Sequence, residues 1–123
     1  MMTTSGPNLI EQFAKYFNSG DLESLVLMYE DGAAFIPEPG TVLNDAAGLR
    51  ASLQAFLDLK GTITIVSTTE AVNNELALTH SHWRIDLPDG GSMEHTSAEV
   101  SRRQADGTWK YALDNPFGGD VLS

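Results

Sequence analysis

The stretch YEDGAAFIPEPG, residues 29–40, is where this chain passes from helical to extended periodicity. An amphipathic helix is expected to run out at Asp31-Gly32, and the apolar run Ala33-Ala34-Phe35-Ile36 then reads as a short strand. Glu38 follows, fixed between Pro37 and Pro39. Proline locks φ and also restricts the residue before it, so this carboxylate has a defined direction. Held at the end of an apolar strand, it is either a general base or a turn residue.

The residues before this stretch have helical period. Pro7 suits the first turn of a helix with Leu9, Ile10, Phe13 and Phe17 on one face, ended by Gly20. Asp21 is a good N-cap for a second helix carrying Leu22, Leu25, Val26 and Tyr29. A third helix is expected from Asn44 or Asp45 to Gly61, with Leu49, Leu53, Phe56 and Leu57 inward. Beyond it the period becomes two. Thr62–Glu70, Leu76–Leu87, Ser92–Gln104 and Thr108–Asn115 read as strands, separated by turn residues at Asn73-Asn74, Pro88-Asp89-Gly90-Gly91 and Ala105-Asp106-Gly107. Helices first and an antiparallel meander afterwards indicate an α+β domain, helices on one sheet face.

The 123 residues suit a single domain, 1–123. With 7 basic and 17 acidic side chains, the formal net charge is −10. Such a balance repels phosphate backbones and anionic lipid, so neither nucleic acid nor membrane is expected as a partner. No apolar run approaches the roughly 20 residues that span a bilayer. The opening MMTTSGPNL carries neither a basic nor an apolar segment, so no signal peptide is expected. A chain without cysteine suits the cytoplasm.

A tight turn at Pro88–Gly91 would oppose His80 to Glu99, His82 to Ser97 and Arg84 to His95, placing all six on one sheet face. The other face would carry Ser81, Trp83, Ile85, Leu87, Thr96, Ala98 and Val100. Either the polar face is solvated and the Trp83 face packs on the helices, or the polar face lines a pocket and the Trp83 face meets a second subunit. A turn one residue longer or shorter changes every pairing. His80-x-His82 with His95 and Glu99 also has the donor types of a zinc or iron site.

In order and spacing, F-x-x-x-F-N-S-G-D-L-E-S-L-V-x-M-Y (13–29), A-A-F-I-P-E-P-G (33–40), Gly48, L-A-L-T-H-S-H-W (76–83) and R-R-Q-A-D-G-T-W-K (102–110) with D-N-P (114–116) cover nearly the whole chain. Together they resemble the nuclear transport factor 2-like superfamily, in its SnoaL-like and ketosteroid isomerase-like branch. The resemblance implies a cone-shaped α+β barrel, three N-terminal helices packed on the concave face of a curved antiparallel sheet. It also implies an internal pocket for a small hydrophobic molecule, no cofactor and no metal. A homodimer through the outer sheet face is implied too, with Trp83, Ile85, Trp109, Tyr111 and Leu113 as candidate contacts.

In the isomerase branch an acid at the end of the short strand is the base, while a protonated acid and a helix tyrosine bind the developing enolate oxygen. Glu99, eight residues before the hairpin glycine Gly107, falls at the position of the protonated acid. Glu38 is nearest to the base, although the gapless match is Pro37. Phe13 stands where the tyrosine would be, and Tyr16 lies about one helical turn away. The candidate catalytic residues are therefore Glu38, Glu99, Asp114 and His80. Asp114 qualifies because it points away from Trp109, Tyr111 and Leu113 in a regular strand. Candidate substrate contacts are Phe13, Tyr16, Phe56, His82, Arg84 and His95. The implied activity is isomerisation, cyclisation or dehydration of a hydrophobic carbonyl compound; the alternatives are a non-catalytic ligand-binding module and a dimerisation module.

Overall fold

The computed structural model describes residues 8–118. Three helices, α1 (Leu9–Ser19), α2 (Leu22–Val26) and α3 (Ala46–Asp58), combine with six strands: β1 (Tyr29–Glu38), β2 (Thr41–Leu43), β3 (Thr62–Asn73), β4 (Leu76–Asp86), β5 (Ser92–Arg103) and β6 (Trp109–Asn115). The strands form one sheet in the order β2-β1-β6-β5-β4-β3. The architecture is α+β. Among the described residues no helix is long and apolar enough to cross a membrane.

Local chemistry sets the helix ends. Gly20 takes a left-handed φ of 72°, and its N–H and that of Asp21 return to the carbonyls of Phe17 and Tyr16, both at 3.0 Å. The Asp21 carboxylate caps α2 by accepting from the Ser24 N–H at 3.1 Å. Asp45 does the same for α3 through the Gly48 N–H, also at 3.1 Å. At the far end of α1 the Asn18 amide pairs with both backbone groups of Ile63, at 2.8 and 3.1 Å. That pair of hydrogen bonds fixes α1 to the start of the edge strand β3.

The structure corrects three expectations. The second helix ends at Val26, not at Asp31-Gly32, and the chain enters β1 already at Tyr29. The sheet is mixed, because β1 pairs parallel with β6. A short strand, β2, folds back on β1 across Pro39-Gly40, with Gly40 at φ 87°. Proline followed by a glycine of positive φ is the composition of a type II turn. Glu38 is thus the last residue before a hairpin turn, and it is exposed.

The fourth correction concerns register. Thr79 opposes Glu99, Ser81 opposes Ser97, Trp83 opposes His95, and His80 opposes Ala98. The pairing differs by one residue from a tight turn at Pro88–Gly91. The reason lies in the loop: the Leu87 N–H bonds to the Gly91 carbonyl at 2.8 Å, and Gly90 sits at φ 92°. Three residues, Pro88, Asp89 and Gly90, make the connection, closed by a left-handed glycine. Consequently Trp83 and Glu99 share one face, while His80, His82 and Arg84 occupy the other.

All three helices pack on the Trp83 and Glu99 face. Leu9, Leu25, Met28, Leu49 and Leu53 bury against Tyr29, Ala33, Phe35 and Tyr111. Phe17 joins Ile63, Trp83 and Ile85 in a second cluster. Trp83, Ile85 and Tyr111, expected at a dimer surface, are therefore interior residues, and Trp109 packs against the first cluster. Leu113, by contrast, lies on the uncovered face.

A candidate site built on a buried carboxyl pair

Two carboxyl groups lie in this interior. Glu99 on β5 is directly opposite Asp114 on β6, and directly opposed side chains sit about 5 Å apart at Cβ. Both are buried, at 3% and 5% exposure. A break in the β5–β6 register between Val100 and Ser101 brings Tyr111 onto the Asp114 face as well. Such a bulge shifts the alternation of one strand against its neighbour.

Neutral hydroxyls hold the pair. Tyr29, at the start of β1, donates to Asp114 Oδ2 at 2.5 Å. Thr79 on β4 donates to Glu99 Oε1 at 2.7 Å. Ser97 donates to the Ser81 carbonyl at 3.3 Å, and the Ser81 and Thr68 hydroxyls lie 3.0 Å apart. One row of the sheet therefore reads Thr79, Glu99, Asp114, Phe35, with hydroxyl residues in the row beside it.

The pair lines a half-open cavity of about 40 Å³ with Ile10, Phe13, Phe17, Phe35, Phe56, Ile63, Trp83, Ile85, Ser97, Tyr111 and Pro116. At one end the Trp83 indole N–H bonds to the Pro116 carbonyl at 2.9 Å. The Phe117 ring stands edge-on to His95, with centroids 4.9 Å apart, and also meets Trp83 and Phe56. The segment 115–118 is thereby fastened to the cavity wall.

Burial controls the ionisation. Removal from water pushes the Glu99 carboxyl up to about 8, and the nearby Asp114 charge acts in the same direction; the Ser97 and Thr79 hydroxyls pull part-way back. Burial raises Asp114 to about 6, with the Tyr29 hydroxyl opposing the rise. Burial also lifts the Tyr29 and Tyr111 phenols well above their ordinary range, so both stay protonated. Both carboxyls are therefore held toward their neutral form, Glu99 further than Asp114.

The candidate residues divide by location. Glu99, Asp114, Phe13 and Phe56 line the cavity. His95 lies on the same sheet face, its ring against Trp83 and Phe117. Tyr16 packs against the first core cluster without lining the cavity. His80, His82 and Arg84 are on the outer face; His82 pairs there with Glu94, and Arg84 with Asp86 at 3.3 Å. Glu38 sits exposed at its hairpin, clear of the cavity lining. Glu38, His80, His82 and Arg84 are thus corrected to positions from which they do not reach the acid pair. The histidine set considered for a metal is split between two faces, and among the described residues no three His, Asp or Glu gather as ligands.

Tyr29, Thr79, Ser97 and Tyr111 are not among the candidate site residues read from sequence: there Tyr29 is a helix-face residue, Ser97 a strand residue opposite His82, and Tyr111 a dimer contact. Their signals, a helix-period tyrosine and ordinary strand hydroxyls, are also those of core and surface residues.

The chain shares its shape with known structures. A candidate ketosteroid isomerase from Shewanella frigidimarina NCIMB 400 superposes with a TM-score of 0.75 over 87% of this chain and 89% of that one, at 18% identity. An NTF2-like protein of unknown function from Pseudomonas putida KT2440 matches 86% of this chain and 78% of its own, at TM-score 0.74 and 18% identity. An NTF2-like protein with a cystatin-like fold from Novosphingobium aromaticivorans matches 88% and 75%, at TM-score 0.68 and 19% identity. The fold is nuclear transport factor 2-like. No family model and no curated protein matches the sequence itself. Fold carries architecture, and function has to come from the site.

Proposed function

We propose that this nuclear transport factor 2-like chain is a cofactor-independent enzyme whose Glu99–Asp114 pair moves a proton on a small apolar carbonyl compound. The supporting observation is the pair itself: two opposed carboxyls, buried in an apolar cavity, with hydroxyl donors and, among the described residues, no basic residue in the lining. Asp114, the more acidic partner, is the base. Glu99, protonated near neutrality, donates to the oxygen on which enolate charge develops. Tyr29 orients Asp114, and Thr79 orients Glu99. The helices and curved sheet act as a cone around the substrate. A placed acid or base typically contributes on the order of 10²–10⁴-fold in rate.

Deuterium exchange is the test. Small enolisable ketones incubated with the protein in D₂O would lose α-protons faster than in buffer, as seen by NMR. Asp114→Asn and Glu99→Gln would each reduce the exchange about 100-fold or more, with circular dichroism unchanged. Exchange equal to buffer, or unaffected by both substitutions, rejects the mechanism.

A second copy of the chain is the proposed partner. On the uncovered sheet face Ala71, Leu78, Val100, Leu113 and Ala34 oppose one another in a single row across five strands. Leu78 and Leu113 are 45% and 36% exposed. An apolar row of this kind, flanked by polar positions such as His80 and Arg102, suits an isologous sheet-to-sheet contact. The absence of cysteine fits a cytoplasmic setting for the dimer.

A further inference from the structure

The composition of the cavity wall points to the charge of the molecule it receives. Six of the lining residues are aromatic: Phe13, Phe17, Phe35, Phe56, Trp83 and Tyr111. Among the described residues its ionisable carboxyls are Glu99 and Asp114, and no lysine, arginine or histidine contributes to the wall. Of the histidines, His80 and His82 are on the outer face. His95 is inside, but it lies two rows from Glu99 with Ser97 between them, and its ring is engaged by Trp83 and Phe117.

A carboxylate buried without a basic partner is costly, and one tyrosine hydroxyl offsets the cost only in part. Aromatic faces carry negative electrostatic potential and attract a cation placed over them. The pair and the rings therefore favour the same sign of charge. A carboxylate ligand would meet repulsion from Asp114, and a neutral one would leave its charge unbalanced. The space is also small: about 40 Å³, against the roughly 150 Å³ of an apolar cavity that accepts benzene.

We infer that the cavity receives a small organic ammonium ion, its charged head against Glu99 and Asp114 and its alkyl part against the aromatic rings. This deepens the proposed function and rests on it only in using the same cavity: the carbonyl substrate is one that also carries an amine. The charged head pairs with the Asp114 carboxylate, while Glu99 keeps the proton that the proposed transfer uses. Affinity accordingly rises as Asp114 ionises and falls once the amine itself loses its proton.

Three small ligands test the inference: methylammonium, methanol and formate, titrated into the intact chain at equal ionic strength and followed by NMR at the Trp83 indole. The expected order is methylammonium tightest, about tenfold or more over methanol, with formate weakest. The ammonium should bind more tightly at pH 8.5 than at pH 6. Asp114→Asn should remove the preference while leaving methanol binding in place. Equal or tighter binding of methanol in the unmodified chain overturns the inference, as does failure of all three to bind, or an ammonium preference that survives Asp114→Asn and Glu99→Gln. These results are separate from deuterium exchange of simple ketones. Exchange with neutral preference sinks the inference alone, and ammonium preference without exchange sinks the proton-transfer reading alone.

Discussion

The Tyr29 hydroxyl donates to Asp114 at 2.5 Å across 85 residues of sequence. The bond ties the first strand to the last, which lie parallel and adjacent in the sheet. It also stabilises the Asp114 carboxylate, opposing the rise that burial causes. Glu99, one strand further along the sheet, is pushed higher by burial and by the Asp114 charge, against the pull of aliphatic hydroxyls.

Tyr29→Phe removes that donor and little else. Without it the Asp114 carboxylate loses stabilisation of its charged form, and its ionisation moves to higher pH. A buried acceptor left unpaired costs about 1–3 kcal/mol. Chemical denaturation near neutral pH should show a loss in that range, and the acidic limb of any pH–rate profile should move up. A variant as stable as the parent would mean the bond contributes nothing net.

The pair makes stability depend on pH with a definite sign. Both folded-state values lie above those of the unfolded chain, about 8 against 4.5 for Glu99 and about 6 against 3.8 for Asp114. The folded state therefore binds more protons than the unfolded state across this window. Stability from the pair is complete below about pH 4 and declines as pH rises through 6 and 8. Asp21, Glu23 and Asp106 have lowered values and act in the opposite sense, below their ordinary range, but they are fully exposed. Urea melts from pH 5 to pH 9 should show a falling midpoint, flattened in the Glu99→Gln, Asp114→Asn double variant. An identical slope in that variant would assign the dependence to other groups.

How far the sequence alone revealed this arrangement depends on the kind of contact. The first and third helices were legible because stripe, cap and stop agree: Phe13 and Phe17 before Gly20, and Leu49 and Leu53 after Asp45. The end of the second helix was not. Tyr29 fits helical spacing from Leu25 and Val26, yet it begins a strand because its phenol and the Phe35 ring bury in the sheet. Strand alternation on β4 and β5 was readable separately. Their pairing hinged on Gly90 adopting a left-handed conformation, and a one-residue difference moved Trp83 onto the Glu99 face. The β6 bulge is equally silent in sequence, so Tyr111 and Asp114 looked opposed when they are neighbours. Glu99 and Asp114 were legible as candidates, whereas their hydroxyl partners were not.

Gly61, between α3 and β3, marks a close approach. A Cβ there would come within 2.4 Å of Ile85 Cγ2 and 3.0 Å of the Asp86 carbonyl. Ile85 is 1% exposed and has no room to withdraw. Gly61→Ala should therefore cost about 1–3 kcal/mol and lower the thermal midpoint. An unchanged midpoint would show that the α3–β3 connection yields freely.

The uncovered face offers a separate test of assembly. Leu113→Glu places a charge in the middle of the Leu78, Val100, Leu113 row while leaving the opposite face of β6 intact. Sedimentation should show a dimer for the parent and a monomer for the variant, with the cavity's ligand preference unchanged. A monomeric parent at high micromolar concentration would remove the sheet-to-sheet contact.

A ¹³C NMR titration of the Glu99 and Asp114 side-chain carboxyls reads the ionisation of the pair itself. It should proceed in two separated steps, one near 6 and the other near 8, led by Asp114. Both carboxyls ionising near pH 4, as solvated acids do, would contradict it.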